Sequence, residues 1–544
     1  MVQNKIIISF LISLFALNAA AQTHRYMVHF NDKNNSPYSI EQPLEFLSQR
    51  ALDRRIQQGI VVDESDLPVN PQYLQAIRDL GVTVYFTSKW FNAALIQTDI
   101  SKLDLIKALP EVANVEFVAK DTKLTLGNTN VDTSMGDPVI GTNTSNRNTD
   151  LQNQLIGIDD MHQAGYTGEG MLVAIMDGGF ESVNLSTFFS HLVENNKILK
   201  TYDLVHNELD VYTDDSSHGT RVLSCMAALF EDSYSGSVPD ADFMLFITED
   251  VKSEYRIEEY NLVIAAEMAD SAGVDVINAS VGYNFFDSAY MDYEYEQMDG
   301  ATAVSTRGMS MAGNKGIAVV VSAGNEGNSA EWPYMVAPAD AANILATGAS
   351  NFTGERIGFS SQGPSSDDRI KPDIMAVGLG TVVCNGGPNI SVSNGTSFAA
   401  PQIAGLVTGL WQANPEWTVK ELFDKVRITA SKGTDPDNFN GYGIADFVRA
   451  NDFIVLGIED ELSLDLKIFP NPIKDNQLII SSESGLLRGT EIQLYNSLGQ
   501  SIKMVKNKAN ATRVTLILDT FQSGIYVLKV SSENRSWSYR VLKF

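Results

Sequence analysis

Cysteine is nearly missing from these 544 residues: Cys225 and Cys384 are the only two. Two cysteines make no disulfide framework. They are either buried free thiols that pack as small hydrophobes or one bridge in an oxidising compartment. Positive charge is scarce as well. Thirty-nine Lys and Arg stand against 67 Asp and Glu, a formal net charge of −28. That balance argues against nucleic acid and anionic membrane surfaces as partners. It favours solubility and cations. Beyond the N-terminus no run is long and apolar enough for a transmembrane helix. What is present in quantity is apolar: 44% of residues are hydrophobic, enough for large cores. A chain of this length exceeds one ordinary core, so two to four domains are expected.

In chain order, Met1 to Ala21 has Lys5, the apolar run Ile6 to Leu17 and Ala19-Ala20-Ala21. This is the pattern of a cleaved signal peptide, 1–21. Residues 22–125 interleave strands and helices, as in a small α+β domain. Strands are expected at His24 to Phe30, Val82 to Phe86, Ala93 to Ile96 and Val112 to Val118. Helices are expected at Leu44 to Gln58 and Ser101 to Leu109, the first with Arg50, Arg54 and Arg55 on its solvent side. Residues 126–150 are rich in Gly, Asn, Thr, Ser and Asp and read as an exposed linker. A protease nick between Lys120 and Gln152 is the natural maturation point.

The stretch Asn394-Gly395-Thr396-Ser397-Phe398-Ala399-Ala400-Pro401 runs into Ile403-Ala404-Gly405-Leu406-Val407. The run is apolar nearly all round, as in a buried helix, and Pro401 suits a first turn. Ser397 then sits at a helix N-terminus, where N–H groups and the dipole meet developing negative charge. A plain N-cap serine has the same local signature. Upstream, Leu172 to Met176 reads as a buried parallel strand and hands over to Asp177-Gly178-Gly179. Its carboxyl end is where open α/β sheets place ligands, although Asp-Gly also makes ordinary turns. Of the six histidines, only His218 opens a buried helix with Gly-Thr behind it. The preceding Asp214-Asp215-Ser216-Ser217 is a solvated loop or a cation site. Ile317 to Val321 leads to Ser322-Ala323-Gly324-Asn325-Glu326-Gly327, and Asn325 is either a turn residue or an oxyanion donor. Val274 to Asn278 leads to Ala279-Ser280-Val281-Gly282, and Tyr283 to Asn314 reads as a surface excursion plus helix.

Taken together, these motifs resemble the subtilases, the subtilisin-like serine proteases, in the order Asp, His, Ser and over roughly residues 150 to 450. Ala337-Pro338-Ala339, Phe359 to Pro364, Lys371 to Ile374 and Gly441-Tyr442-Gly443 add further resemblance. The resemblance implies an α/β fold with a mostly parallel sheet flanked by helices over 151–455. It implies a catalytic triad of Asp177, His218 and Ser397 and an oxyanion Asn325. It also implies substrate contacts at Ser280, Val281, Gly282, Ala323 and Gly324. It makes residues 22–125 an inhibitory propeptide, and it makes proteins or peptides the substrates. The chemistry needs no cofactor. Structural calcium is common in subtilases and compatible with this acidic chain, but no ligand set stands out. Residues 466–544 show short alternating runs broken by turns, the pattern of a β-sandwich. Phe469-Pro470-Asn471-Pro472, Gly524 to Val527 and Lys543-Phe544 resemble the type IX secretion sorting domain. This implies a secretion-machinery partner and export through the periplasm to the surface or medium. Two other classes fit the same residues: a degenerate protease that only binds, and an adhesin acting through 466–544.

Overall fold

The computed structural model describes residues 23–120, 148–452 and 466–543, except 214–215, 231–232, 388, 475, 483–486, 488–489, 497–500, 508–510, 520, 523 and 532–535. The expected signal peptide, most of the linker and Asp214-Asp215 lie outside the described residues. The chain divides into two units, Met1–Asp452 and Phe453–Phe544.

In the first unit, residues 23–120 carry β1 (Thr23–Phe30), β2 (Thr83–Ser88), β3 (Ala93–Asp99) and β4 (Val112–Lys120). They form an antiparallel sheet in the order β2-β3-β1-β4. Three helices connect them: α1 (Gln49–Gln58), α2 (Pro71–Asp79) and α3 (Leu103–Lys107). Side chains alternate between the sheet's two faces. Tyr26, Val28, Ala94 and Ile96 enter a core of this segment, with Ile77 and Ile106 from the helices. Met27, Phe86, Ala93 and Leu95 face the other way and share a core with residues 172–346.

Three expectations change here. The helix over Leu44 to Gln58 is two pieces, a 3-10 turn at Pro43–Glu45 and α1. Ser48 separates them because its hydroxyl accepts the Ala51 N–H and caps α1. Helix α2 was not anticipated, although Asn70 caps it and Pro71 fills its first turn. Arg54 and Arg55 do not face solvent: they are 4% and 1% exposed. Both reach Asp270, at 2.7 and 2.9 Å, and Arg55 also pairs with Asp66 at 2.9 Å. The polar face of α1 lies against the helix Ile257–Ala272, and charge pairing is what permits that burial.

The large sheet has seven strands: β5 (Leu172–Asp177), β6 (Ile198–Asp203), β7 (Asp242–Ile247), β8 (Val276–Ala279), β9 (Ala318–Ser322), β10 (Leu345–Ser350) and β11 (Ile374–Val377). Their order is β11-β10-β9-β8-β5-β7-β6 and every pairing is parallel. Apart from β6, all are buried on both faces along nearly their whole length, as in a helix-covered parallel sheet. Helices α4 (His218–Ala227) and α7 (Thr396–Ala413) cover one face. Helices α5 (Ile257–Ala272) and α6 (Val304–Asn314) cover the other. The strand order reverses between β5 and β8, so a crevice opens at their carboxyl ends.

Two more readings are corrected. Pro401 stands in the second turn of α7, not the first. The segment from Tyr283 is no mere surface excursion, because Tyr283, Met291 and Met298 are fully buried. They fill space over α5 and α6 that those helices leave open.

The second unit holds β12 (Leu466–Lys474), β13 (Gln477–Ser482), β14 (Glu491–Tyr495), β15 (Ser501–Lys506), β16 (Arg513–Ile517), β17 (Gly524–Ser531) and β18 (Ser536–Lys543). Their order is β15-β14-β17-β18-β12-β13-β16, with a single parallel link between β12 and β18. Alternate residues, among them Leu478, Ile480, Ile492, Leu494, Leu528 and Val530, make one shared core.

Candidate active site

Asp177 ends β5 at the crevice and is fully buried. Its Oδ1 accepts the Gly178 N–H at 2.7 Å and lies 2.7 Å from His218 Nδ1. His218 is the first residue of α4, and its N–H donates to Ser216 Oγ at 3.1 Å. Glycine at 219 is what lets helix and strand approach. A Cβ there would meet Gly179 O at 2.5 Å and Asp177 Cβ at 2.9 Å. The imidazole is part-exposed, so one edge is held by a buried carboxylate and the rest faces the cleft. Its ring lies 5.4 Å from that of Phe398, which brings it to the first turn of α7.

Ser397 occupies that first turn. Its Oγ lies 3.5 Å from the Ser280 carbonyl. The Ser397 carbonyl accepts from Ser280 Oγ at 2.9 Å. Pro401 explains this second bond. The N–H that would take the Ser397 carbonyl in a regular helix belongs to residue 401, and proline has none. Ser280 supplies the missing donor and ties the end of β8 to the start of α7.

Asn325 follows β9 and is exposed. Its Oδ1 accepts from Thr396 N–H at 2.9 Å and from Thr396 Oγ1 at 3.1 Å. Thr396 Oγ1 in turn accepts the Gly324 N–H at 3.2 Å. With its oxygen committed, Asn325 presents Nδ2 outward. Gly395 has φ +144, and a methyl added there would lie 3.7 Å from both Asn325 Nδ2 and the Ser397 backbone N. Two N–H donors thus flank one small space beside Ser397. Thr396 and Ser280 Oγ hold these donors, and neither role was visible in sequence.

The other candidates divide. Ser280 and Val281 line a pocket of about 450 Å³ next to His218. Gly282 is exposed beside Val336. Ala323 is fully buried, with its N–H on Thr347 O and its carbonyl accepting from Val336 N–H. Gly324 is buried at φ +106. Both cysteines are buried free thiols. Burial pushes Cys225 up to about 12 and also raises Cys384, which disfavours the thiolate at both.

Among the described residues one group of side chains converges as metal ligands would. Asp203, His206 and Glu208 bring ligand atoms within 4.8 Å of one another. Asp203 is already engaged: Oδ1 accepts from the Val205 and His206 N–H groups, and Oδ2 is 2.6 Å from His206 Nδ1. Calcium prefers six or more oxygens, so this group does not fit it.

The fold and these side chains define a serine peptidase domain of the subtilisin type. Residues 168–444 match the model of the Subtilase family, half the chain. Residues 25–134 match the Peptidase S8 propeptide domain, Bacteroidota, and residues 467–543 a Secretion system C-terminal sorting domain. Subtilisin E of Bacillus subtilis (strain 168) is 31% identical over 272 residues, 50% of this chain and 63% of that protein. Subtilisin of Bacillus pumilus is also 31% identical over 272 residues, 87% of its length. The crystal structure of MycP1 from the ESX-1 type VII secretion system aligns with TM-score 0.46 at 22% identity, covering 59% of this chain and 90% of that one. The chain belongs to the subtilase family. It carries a propeptide domain before the peptidase domain and, after it, a sorting domain for type IX export to the surface or medium. Among the described residues no helix is long and apolar enough to cross a membrane. The chain spans 63% of the length of subtilisin E, the first of these relatives.

Proposed function

We propose that this protein is a secreted serine endopeptidase made as an inhibited precursor. The observation that carries the reading is the 2.7 Å contact of His218 Nδ1 with buried Asp177, beside a serine that opens a buried helix. Ser397 Oγ attacks the peptide carbonyl. His218 takes its proton and returns it to the leaving amine. Asp177 fixes the tautomer and stabilises the imidazolium. Asn325 Nδ2 and the Ser397 N–H receive the oxyanion. Ser397 Oγ rests against Ser280 O at 3.5 Å, and the bond to the imidazole forms with substrate in place, where such contacts tighten. Ser280, Val281 and Gly282 form the wall along which the peptide lies, and Ala323 and Gly324 back it from within. No cofactor enters the chemistry.

The working division of the chain is signal peptide 1–21, propeptide 22–125, linker 126–150, peptidase 151–455 and sorting domain 466–544. The propeptide inhibits until it is cut between Lys120 and Gln152. A fluorophosphonate probe should label the matured wild-type protein, and Ser397→Ala should be unlabelled, folded and inactive. Casein cleavage by Ser397→Ala at the wild-type rate would end the triad assignment.

A further inference from the structure

The pocket beside His218 is acidic. Its wall comes from the loop after β7 and the first turn of α5: Glu249, Asp250, Glu254 and Glu258, with Asp287. Lys252, at the exposed rim, is the one lysine or arginine in the lining. Ser280 joins this pocket to the nucleophile, because it lines the pocket and bonds Ser397.

Glu258 is 1% exposed, and its Oε2 has no hydrogen-bond partner. Its other oxygen accepts the Asp250 N–H at 2.8 Å. Glu254 and Glu249 line the same pocket wall as Glu258. Several carboxyls crowd one wall here, which is costly unless they hold protons or a cation lies among them. Burial first, then repulsion from neighbouring carboxylates, pushes Glu249 up to about 7, Glu254 to about 8 and Glu258 to about 12, and a cation bound among them favours the charged forms and draws these values down.

The spacing selects the kind of cation. Among the described residues, Asp203, His206 and Glu208 are the group with three ligand atoms within 4.8 Å, and they are not these carboxylates. A compact metal ion therefore suits the pocket poorly. An extended cation with several N–H donors on an aliphatic stem suits its size and its spread of oxygens. Direction follows from the N-terminal domain. Strand β4 ends at Lys120, and Arg25, Ala119 and Lys120 line a crevice that shares Asp250, Ser253 and Glu258 with the pocket. That chain arrives at the pocket's edge running from N to C.

We propose that this pocket binds the guanidinium or ammonium group of an arginine or lysine on the N-terminal side of the scissile bond, with Glu254 and Glu258 as its anions. The proposal rests on the peptidase reading above. The test is positional peptide profiling of the matured full-length protein, with citrulline and norleucine as uncharged counterparts of arginine and lysine. At one position before the scissile bond, kcat/KM should favour the basic residue by about tenfold or more. In Glu254→Gln/Glu258→Gln that ratio should fall toward one, a readout internal to each preparation. A wild-type profile without basic preference, or a preference that survives the double substitution, would overturn the proposal. So would a calcium-dependent melting shift that the double substitution removes, since the pocket would then be a metal site. Fluorophosphonate labelling of the same preparation separates the two failures. A labelled enzyme without basic preference loses only this inference, and an unlabelled one loses the peptidase reading and the inference with it.

Discussion

Asn325 divides its amide between the protein and the cleft. Thr396 takes the oxygen through both N–H and hydroxyl, leaving Nδ2 for whatever occupies the space by Gly395. A donor that meets charge only as it develops should act on kcat and not on KM. Asn325→Ala is expected to lower kcat by roughly 10²–10³, a magnitude taken over from the subtilisin asparagine in this role. Steady-state kinetics on one peptide would check it, and a wild-type kcat would reduce Asn325 to a turn residue. Thr396→Val tests the positioning. It keeps the shape and the N–H but removes the hydroxyl, so kcat should fall by about tenfold with KM held. At this scale the sequence was informative about Asp177, His218, Ser397 and Asn325, because strand ends and helix starts are local features. It did not reveal the bonds of Thr396 to Asn325 and of Ser280 to Ser397, whose partners are 71 and 117 positions apart.

At the scale of elements, the junction of α1 with α5 is the least expected feature. Asp270 is fully buried and bonded to Arg54, Arg55 and Lys89, all from residues 23–120. Burial pushes its carboxyl up, and pairing with Lys89, Arg54 and Arg55 outweighs this, so it lies below the ordinary aspartate value. A depressed folded pKa means that its stabilisation is complete above about pH 3.9 and is lost as pH falls through the folded value. Asp270→Asn leaves buried cations without their anion and should destabilise the precursor by about 3–5 kcal/mol near pH 6. Melting curves of both precursors should differ at pH 6 and converge only once the pH has fallen through the folded value, beneath the ordinary aspartate pKa. A gap that persists at low pH would show that packing, not charge, holds the junction. The amphipathic pattern of α1 was legible, but a polar face reads the same whether it meets water or another charged helix.

At the scale of the whole molecule, the chain divides into two units after Asp452. The core of 466–543 is built from its own strands, and every residue assigned to the site lies before it. A chain stopped near Asn451 should therefore mature and cleave peptides when made in another host. In its own host it should stay in the periplasm, because the sorting domain is gone. Fractionation with a peptidase assay on each fraction checks both halves. Normal export would remove the sorting role, and failure to fold would make 466–544 part of the enzyme.

By itself the sequence determined the class of fold and the order of its parts, and it set Asp177 at a strand end and His218 and Ser397 at helix starts. Those rest on short-range physics: apolar runs that can only be a buried strand or helix, glycines that permit close approach, and a serine or histidine opening a helix. Tertiary structure alone decided what the faces meet. It buried Arg54 and Arg55 on Asp270, placed Pro401 so that Ser280 must serve the Ser397 carbonyl, and gathered Glu249, Glu254 and Glu258 beside His218. Hydrophobic pattern records whether a position is hidden from water. It carries no record of which distant charge or donor lies opposite, and that pairing sets the energy of a buried polar group.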